Sequence, residues 1–237
     1  MLLAIDIGNT RIKAAVFEGE TLLKQIAFGA DDGDAAISRL LQEYPKVEKA
    51  VLSSVANDAG FLPDSIEVVR VGRDWRFPFE NLYATPETLG IDRMVLAAGA
   101  ALMHPGRPAL VIDAGTCITY DFLDLGGRYL GGAISPGLRT RYRALHDYTA
   151  KLPLLQPSEP ESIVGNTTEA SIHSGVVTGI LAEIDAFRSS QNEGNFIIIL
   201  TGGDSEFLAS QVKNRIFANP NFLLESLNRL FQYQITK

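Results

Sequence analysis

The chain is expected to be an α/β protein of two related halves, each a mixed β-sheet flanked by helices. Three observations predict this. Leu2 to Phe17 reads LLAIDIGNTRIKAAVF: an apolar run, a tight polar turn, then a second run of alternating character, which is the pattern of an antiparallel hairpin. Ala109 to Asp124, ALVIDAGTCITYDFLD, repeats the pattern, so that Ile5-Asp6-Ile7-Gly8 overlays Ile112-Asp113-Ala114-Gly115 and Thr10 falls near Thr116. Helical and strand periods then alternate through each half. Two strand–Asp–x–Gly–polar–strand units imply a duplicated fold. Gly106-Arg107-Pro108 is the junction, giving domains at 1–105 and 106–237 with a nucleotide cleft expected between them.

Within the first half, Thr21 to Phe28 is a third strand after the turn Glu18-Gly19-Glu20. Asp34 to Tyr44 places Ala35, Ala36, Ile37, Leu40, Leu41 and Tyr44 at helical spacing, with a cap near Asp32-Gly33-Asp34 and a stop at Pro45. Ala50 to Val55 and Ile66 to Val71 are short strands, and strand-strand-strand-helix-strand-helix-strand is the order a ribonuclease-H-like half requires. Pro78 and Pro86 forbid a continuous helix or central strand across 73–93, where Trp75, Phe77, Phe79 and Tyr83 either line a small-molecule pocket or pack beneath the loop. An Ala-rich helix follows from Met94 to Met103.

In the second half, Tyr129 to Ser135 is the third strand and Pro136-Gly137-Leu138 opens a helix whose first N–H groups are suited to phosphate or substrate. Lys151 to Pro160 is a proline-rich loop, and Gly165 to Glu169 leads into a long helix that ends at about Ser190, its hydroxyl residues suited to capping. Asn195 to Thr201 is a buried strand ending in Gly202-Gly203-Asp204-Ser205, and Leu223 to Phe231 is a last amphipathic helix. Cys117 is placed in a buried strand as an inert thiol.

Composition narrows the function. A chain of 237 residues holds two cores. Apolar stretches fall short of the ~20 residues that span a bilayer. The start lacks the basic segment and cleavage site of a secretory signal, and one cysteine makes no internal disulfide, so a cytoplasmic protein is expected. A net charge of −7 disfavours nucleic-acid and anionic-membrane partners. The one basic run, Arg139 to Arg143, reads as a solvated helix face or a subunit contact.

The turns carry the chemistry. In the first hairpin Gly8 admits close backbone approach, Asn9 and Thr10 add donors, Lys13 adds a positive charge and Asp6 can hold a hydrated cation. This set suits a nucleoside triphosphate with Mg²⁺, although an ordinary glycine hairpin has the same local pattern. Asp92-Arg93 at a helix start is either an N-terminal cap beside a surface charge or a general base beside a bidentate anion clamp. The strand ending in Gly-Gly-Asp suits adenine and ribose contact, or is a capped turn. No P-loop, Gly-x-Ser-x-Gly elbow or His/Cys metal spacing occurs.

Both hairpins resemble those of the actin, sugar-kinase and chaperone-ATPase superfamily. DIGNTRIK at 6–13, GIDR at 90–93, DAGTCITYD at 113–121, GGAISPGL at 131–138 and TGGD at 201–204 together resemble the type III pantothenate kinases. That resemblance implies ATP-dependent phosphorylation of pantothenate to 4′-phosphopantothenate. It implies ATP contacts from Asp6, Ile7, Gly8, Asn9, Thr10, Arg11, Ile12, Lys13 and Thr116. Pantothenate would be held by Tyr83, Gly90, Ile91, Asp92, Arg93 and Thr168, with Asp92 as proton acceptor. Asp113 would bind K⁺ or NH₄⁺ alongside Mg²⁺, for which Asp6 is the candidate ligand, and the enzyme would be a homodimer. Rival readings are a kinase for another small alcohol, an actin-like scaffold and an accessory transcription factor.

Overall fold

The computed structural model describes residues 1–8, 11–54, 60–190, 196–212 and 217–236. Asn9 and Thr10 of the first turn lie outside the described residues. The elements run β1 (Leu2–Ile7), β2 (Ile12–Glu18), β3 (Thr21–Phe28), α1 (Gly33–Glu43), β4 (Lys49–Ser54), β5 (Glu67–Arg70), β6 (Glu80–Asn81) and α2 (Ile91–Met103). There follow β7 (Ala109–Ala114), β8 (Cys117–Leu123), β9 (Arg128–Pro136), α3 (Leu138–Asp147) and α4 (Thr168–Ser189). The chain closes with β10 (Ile197–Thr201), α5 (Ser205–Gln211), β11 (Phe217–Ala218) and α6 (Phe222–Ile235).

Two compact units form. One comprises Met1–Gly106, Leu125–Leu130 and Asn221–Lys237; the other comprises Arg107–Asp124 and Gly131–Pro220. In the first unit the sheet order is β3-β2-β1-β4-β5. The β1–β2 and β2–β3 pairs are antiparallel, while β1–β4 and β4–β5 are parallel. The parallel strand β1 is covered on both faces, which is why its sequence is a continuous apolar run rather than an alternating one. Leu3, Ile5 and Ile7 pack with Ile37 and Leu40 of α1. The second helical layer is α2 and α6, which pack on each other, and α6 also contacts β1, β2 and β4. Leu224, Leu227 and Leu230 of α6 are fully buried, each worth about 1.5–3 kcal/mol of transfer free energy.

The second sheet repeats the order as β9-β8-β7-β10-β11, with the two-residue β6 added beyond β9 in parallel. Here β7–β8 is antiparallel, and β7–β10 and β10–β11 are parallel. Each central strand has the same succession of buried and half-buried residues, and its aspartate, Asp6 or Asp113, is the half-buried one. Leu110, Ile112, Tyr120, Tyr142, Val177 and Ile180 centre this unit's core, with α3 and α4 packed together.

Several expectations change. Among the described residues no helix stands between β4 and β5; residues 60–66 are turns. Asp32 occupies the N-cap of α1 without a side-chain hydrogen bond, because a short 3₁₀ turn at Ala30–Asp32 leads directly into the helix. β11 is a further strand, too short to carry a period in the sequence. Cys117 is exposed, not buried: it opens β8 at the turn, and the inward position belongs to Ile118. The 139–143 run is not a uniformly solvated face, since Tyr142 is buried and Arg141 is ion-paired. Among the described residues no helix is long and apolar enough to cross a membrane.

Candidate active site

The first hairpin places Asp6 opposite Lys13 on β2 and beside Ser53 on β4, so the three stand in one row across the sheet. Ile7 and Ile12, the next pair outward, are buried, while Arg11 is exposed. The turn closes by a hydrogen bond from Gly8 N–H to Arg11 carbonyl oxygen at 3.2 Å. A side chain on Gly8 would begin 3.1 Å from that carbonyl and 3.8 Å from Asp6 Oδ2. The backbone is thus bare where the carboxylate ends, which suits close approach by a charged group.

The second hairpin is built likewise, with Asp113 opposite Thr119 and beside Thr201. Gly115 N–H donates to Cys117 oxygen at 2.9 Å, and Thr116 is exposed. The Thr116 carbonyl accepts from Gly137 N–H at 3.0 Å and from Thr140 Oγ1 at 2.7 Å, which seats the turn on the start of α3. Gly202 has φ +95°, and a Cβ there would fall 2.4 Å from Ala114 oxygen and 2.5 Å from Asp113 Oδ1. Only glycine satisfies both the dihedral and the packing, so the TGGD segment lies directly against the Asp113 turn. Asp204 N–H donates to Ala114 oxygen at 3.0 Å, and its carboxylate pairs with Arg139 at 3.0 Å. Burial pushes the Asp204 carboxyl up from the ordinary aspartate range, with Arg139 pulling the other way.

The third group of residues lies on α2. Gly90 is its N-cap, Asp92 sits in its first turn, and Arg93 is buried with its guanidinium 5.8 Å from the centre of the Tyr83 ring. A buried arginine overturns the reading of Arg93 as a surface charge. Tyr83 continues into a run of ring contacts, Tyr83–Tyr129, Tyr129–Phe79 and Phe79–Phe77, at 6.2, 5.7 and 5.5 Å between centroids. These rings pack on one another, so the loop aromatics are structural in part. Arg73 Nη1 donates to Leu89 oxygen at 2.6 Å and to Pro86 oxygen at 3.1 Å, holding the turn that delivers Gly90. Nothing local in the sequence marks Arg73, whose partners lie 13 and 16 residues along the chain.

Thr167 caps α4, its side chain accepting from Ala170 N–H at 3.1 Å, and Thr168 is the exposed first residue of that helix. Among the described residues no group of three or more acidic, histidine or cysteine side chains is placed to hold a metal by itself.

Duplicated sheets of one strand order, each with an Asp-x-Gly hairpin at its centre, define the actin-like ATPase and sugar-kinase class of fold. A Campylobacter jejuni protein described as a Baf family transcriptional activator shares the fold at TM-score 0.65 and 21% identity, over 98% of both chains. A Sinorhizobium meliloti protein described as a 2-dehydro-3-deoxygalactonokinase does so at TM-score 0.60 and 13% identity, over 100% of both. The family model for type III pantothenate kinase matches residues 2–190. Type III pantothenate kinases of Flavobacterium johnsoniae and Flavobacterium psychrophilum are 54% and 52% identical to this chain, over 99% of it and 99% and 100% of their own lengths. The chain belongs to the type III pantothenate kinase family.

Proposed function

We propose that the three groups of residues described above carry the activity of a type III pantothenate kinase, the ATP-dependent phosphorylation of pantothenate to 4′-phosphopantothenate in coenzyme A biosynthesis. The observation that carries the assignment is Asp92 in the first turn of α2, next to a buried Arg93 that faces Tyr83. Asp92 accepts the proton of the attacking primary hydroxyl. Arg93 binds the pantothenate carboxylate, a planar anion matched by a guanidinium. Tyr83, Gly90, Ile91 and Thr168 complete the substrate contacts.

Asp6 to Lys13 is the phosphate loop, with Lys13 neutralising charge on the transferring group. Thr116 and the TGGD segment contact the nucleotide. Because such transition states are loose, positioning and electrostatics dominate over covalent assistance. Asp6 fits a Mg²⁺ that is held by one carboxylate, waters and substrate phosphates, so a cage of three protein ligands is not needed. When bound, Mg²⁺ draws charge from the β- and γ-phosphate oxygens. Asp113 would hold K⁺ or NH₄⁺ through its carboxylate, the half-buried group of β7.

A homodimer in the cytoplasm completes the reading. Ile163 and Val164, 75% and 76% exposed in the loop before α4, are the kind of apolar surface a second copy covers. The test is ADP release with ATP and pantothenate, with and without K⁺ or NH₄⁺. Turnover that requires pantothenate and falls ~10²–10⁴-fold in Asp92→Asn supports the assignment. Near-normal turnover in that variant removes Asp92 from the chemistry.

A further inference from the structure

The basic run on α3 contains an ion pair that the reading above leaves unused. Arg141 Nη2 lies 2.7 Å from Glu183 Oε1 and 2.8 Å from Oε2, joining α3 to α4. Ser135 Oγ accepts from Arg141 Nη2 at 2.6 Å and donates to Glu183 Oε2 at 2.8 Å. Tyr120 hydroxyl approaches the same oxygen at 3.4 Å from β8, and burial with the Glu183 charge pushes its phenol up while Arg141 opposes them. Arg141 Nε donates to the Pro136 carbonyl at 2.9 Å.

The target of these contacts is the segment Ser135-Pro136, immediately before Gly137. Gly137 N–H and Thr140 Oγ1 both donate to Thr116 oxygen. The fit is tight: a Cβ on Gly137 would fall 2.1 Å from Gly115 oxygen and 2.6 Å from Thr116 oxygen. A small shift of Gly137 therefore cannot be absorbed by sliding over the turn and must move it. Arg141 and Glu183 are 18% and 35% exposed, a partly buried pair whose geometry is fixed by its shared hydrogen bonds to Ser135.

We propose that Arg141 and Glu183 are positioning residues for the nucleotide: they lock the start of α3 and, through it, the Gly115–Thr116 turn in the geometry that binds ATP. This rests on the reading of Thr116 as an ATP contact. Neither side chain touches the reacting atoms; their effect is on ATP affinity, transmitted through Pro136, Gly137 and the Thr116 carbonyl.

The experiment measures kcat and both KM values for Glu183→Gln, Arg141→Lys, Thr116→Ala and Tyr142→Phe, with thermal unfolding of each. Tyr142→Phe is the structural control, since it removes the 2.7 Å bond from α3 to His173 of α4 without touching Pro136. Glu183→Gln, which keeps shape and removes charge, is expected to raise KM for ATP roughly five- to tenfold, about the net worth of one ordinary hydrogen bond. KM for pantothenate and kcat stay within about twofold of the parent. Arg141→Lys keeps the charge but loses the Pro136 contact, and raises KM for ATP by an intermediate factor. Tyr142→Phe lowers the melting temperature and leaves KM for ATP unchanged.

An unchanged KM for ATP in Glu183→Gln, with Thr116→Ala raising it, overturns the positioning role alone. An unchanged KM in Thr116→Ala overturns the underlying nucleotide contact, and the positioning role with it. Parallel rises in both KM values, in Glu183→Gln and Tyr142→Phe alike, reduce the pair to general support of the helices.

Discussion

The Asp92 carboxylate lies against the Cα of Gly90, such that a Cβ on that glycine would fall 2.3 Å from Asp92 Oδ1. Gly90 has φ −59° and ψ 137°, a conformation alanine adopts freely, so the missing side chain answers the carboxylate rather than the backbone. Gly90→Ala is expected to fold normally, because the atom it meets is the end of a side chain that can swing away. The displaced carboxylate should cost about 10²-fold in kcat. Melting curves and steady-state kinetics on one preparation check this, and an active Gly90→Ala enzyme would show that the carboxylate's position is not critical.

Arg73 holds the approach to the same helix. Its Nη1 bridges the carbonyls of Pro86 and Leu89, so the 3₁₀ turn at Pro86–Thr88 enters Gly90 at a fixed angle. Arg73→Met keeps the aliphatic stem and removes the Nη1 donor to both carbonyls. KM for pantothenate should rise roughly tenfold, the loss of about one such bond to a charged donor, while KM for ATP is unaffected. Isothermal titration with each substrate separates the two.

Much of the fold was legible because apolar runs and glycine turns are local signals. The duplicated hairpins, the prolines that leave only a two-residue strand and one 3₁₀ turn between β5 and α2, and the placement of Asp92 at the start of α2 all follow from neighbouring residues. What escaped depends on partners distant in the chain. Arg141 reads as a surface charge until Glu183, 42 residues on, comes beside it. Arg93, polar and in a first helical turn, reads as exposed, yet the fold buries it and brings Tyr83 to its guanidinium. Cys117 reads as buried among apolar neighbours, but it precedes the last β7–β8 pair, Ala114 with Ile118, and the inward side chain is that of Ile118.

Cys117 offers a direct probe of the second turn. It is the protein's one cysteine, exposed, and follows Thr116. Iodoacetamide should label one equivalent in the free enzyme. Saturating ATP should slow that labelling, and pantothenate alone should not. Equal rates with and without ATP would separate Thr116 from the nucleotide.

The C-terminal helix is fastened by Arg76. Its Nη2 donates to the carbonyls of Tyr233 at 2.6 Å and Thr236 at 3.0 Å, satisfying acceptors that a helix end leaves unpaired, and its guanidinium lies 4.1 Å from the Tyr233 ring centre. Arg76→Ala should lower stability by about 1–2 kcal/mol, with the exposed setting keeping the loss at the lower end. Removing residues 233–237 should cost at least as much, and combining it with Arg76→Ala should add little, because the two changes delete one set of contacts.

Asp204 trades stability for its place beside Ala114. Burial raises its folded-state pKa above the ordinary value of 3.8, and Arg139 only partly offsets this. The folded protein therefore holds the proton more tightly than the unfolded chain does. Below the unfolded value both states are protonated and the carboxyl costs nothing. As pH rises from there through the folded value, the unfolded chain ionises first and stability is lost; above it the loss is constant. Asp204→Asn should then be more stable than the parent at pH 7 in urea unfolding, with the gap closing as pH falls towards 4. Arg139 is 67% exposed, so Arg139→Ala should weaken the protein only slightly at pH 7, and less in high salt. If Asp204 contacts the nucleotide, the stabilised Asp204→Asn enzyme should also bind ATP more weakly, which is the usual cost of a functional carboxylate held where packing alone would prefer a neutral group. A gap that widens on acidification would reverse the sign of this argument and show that Asp204 is stabilised as the anion.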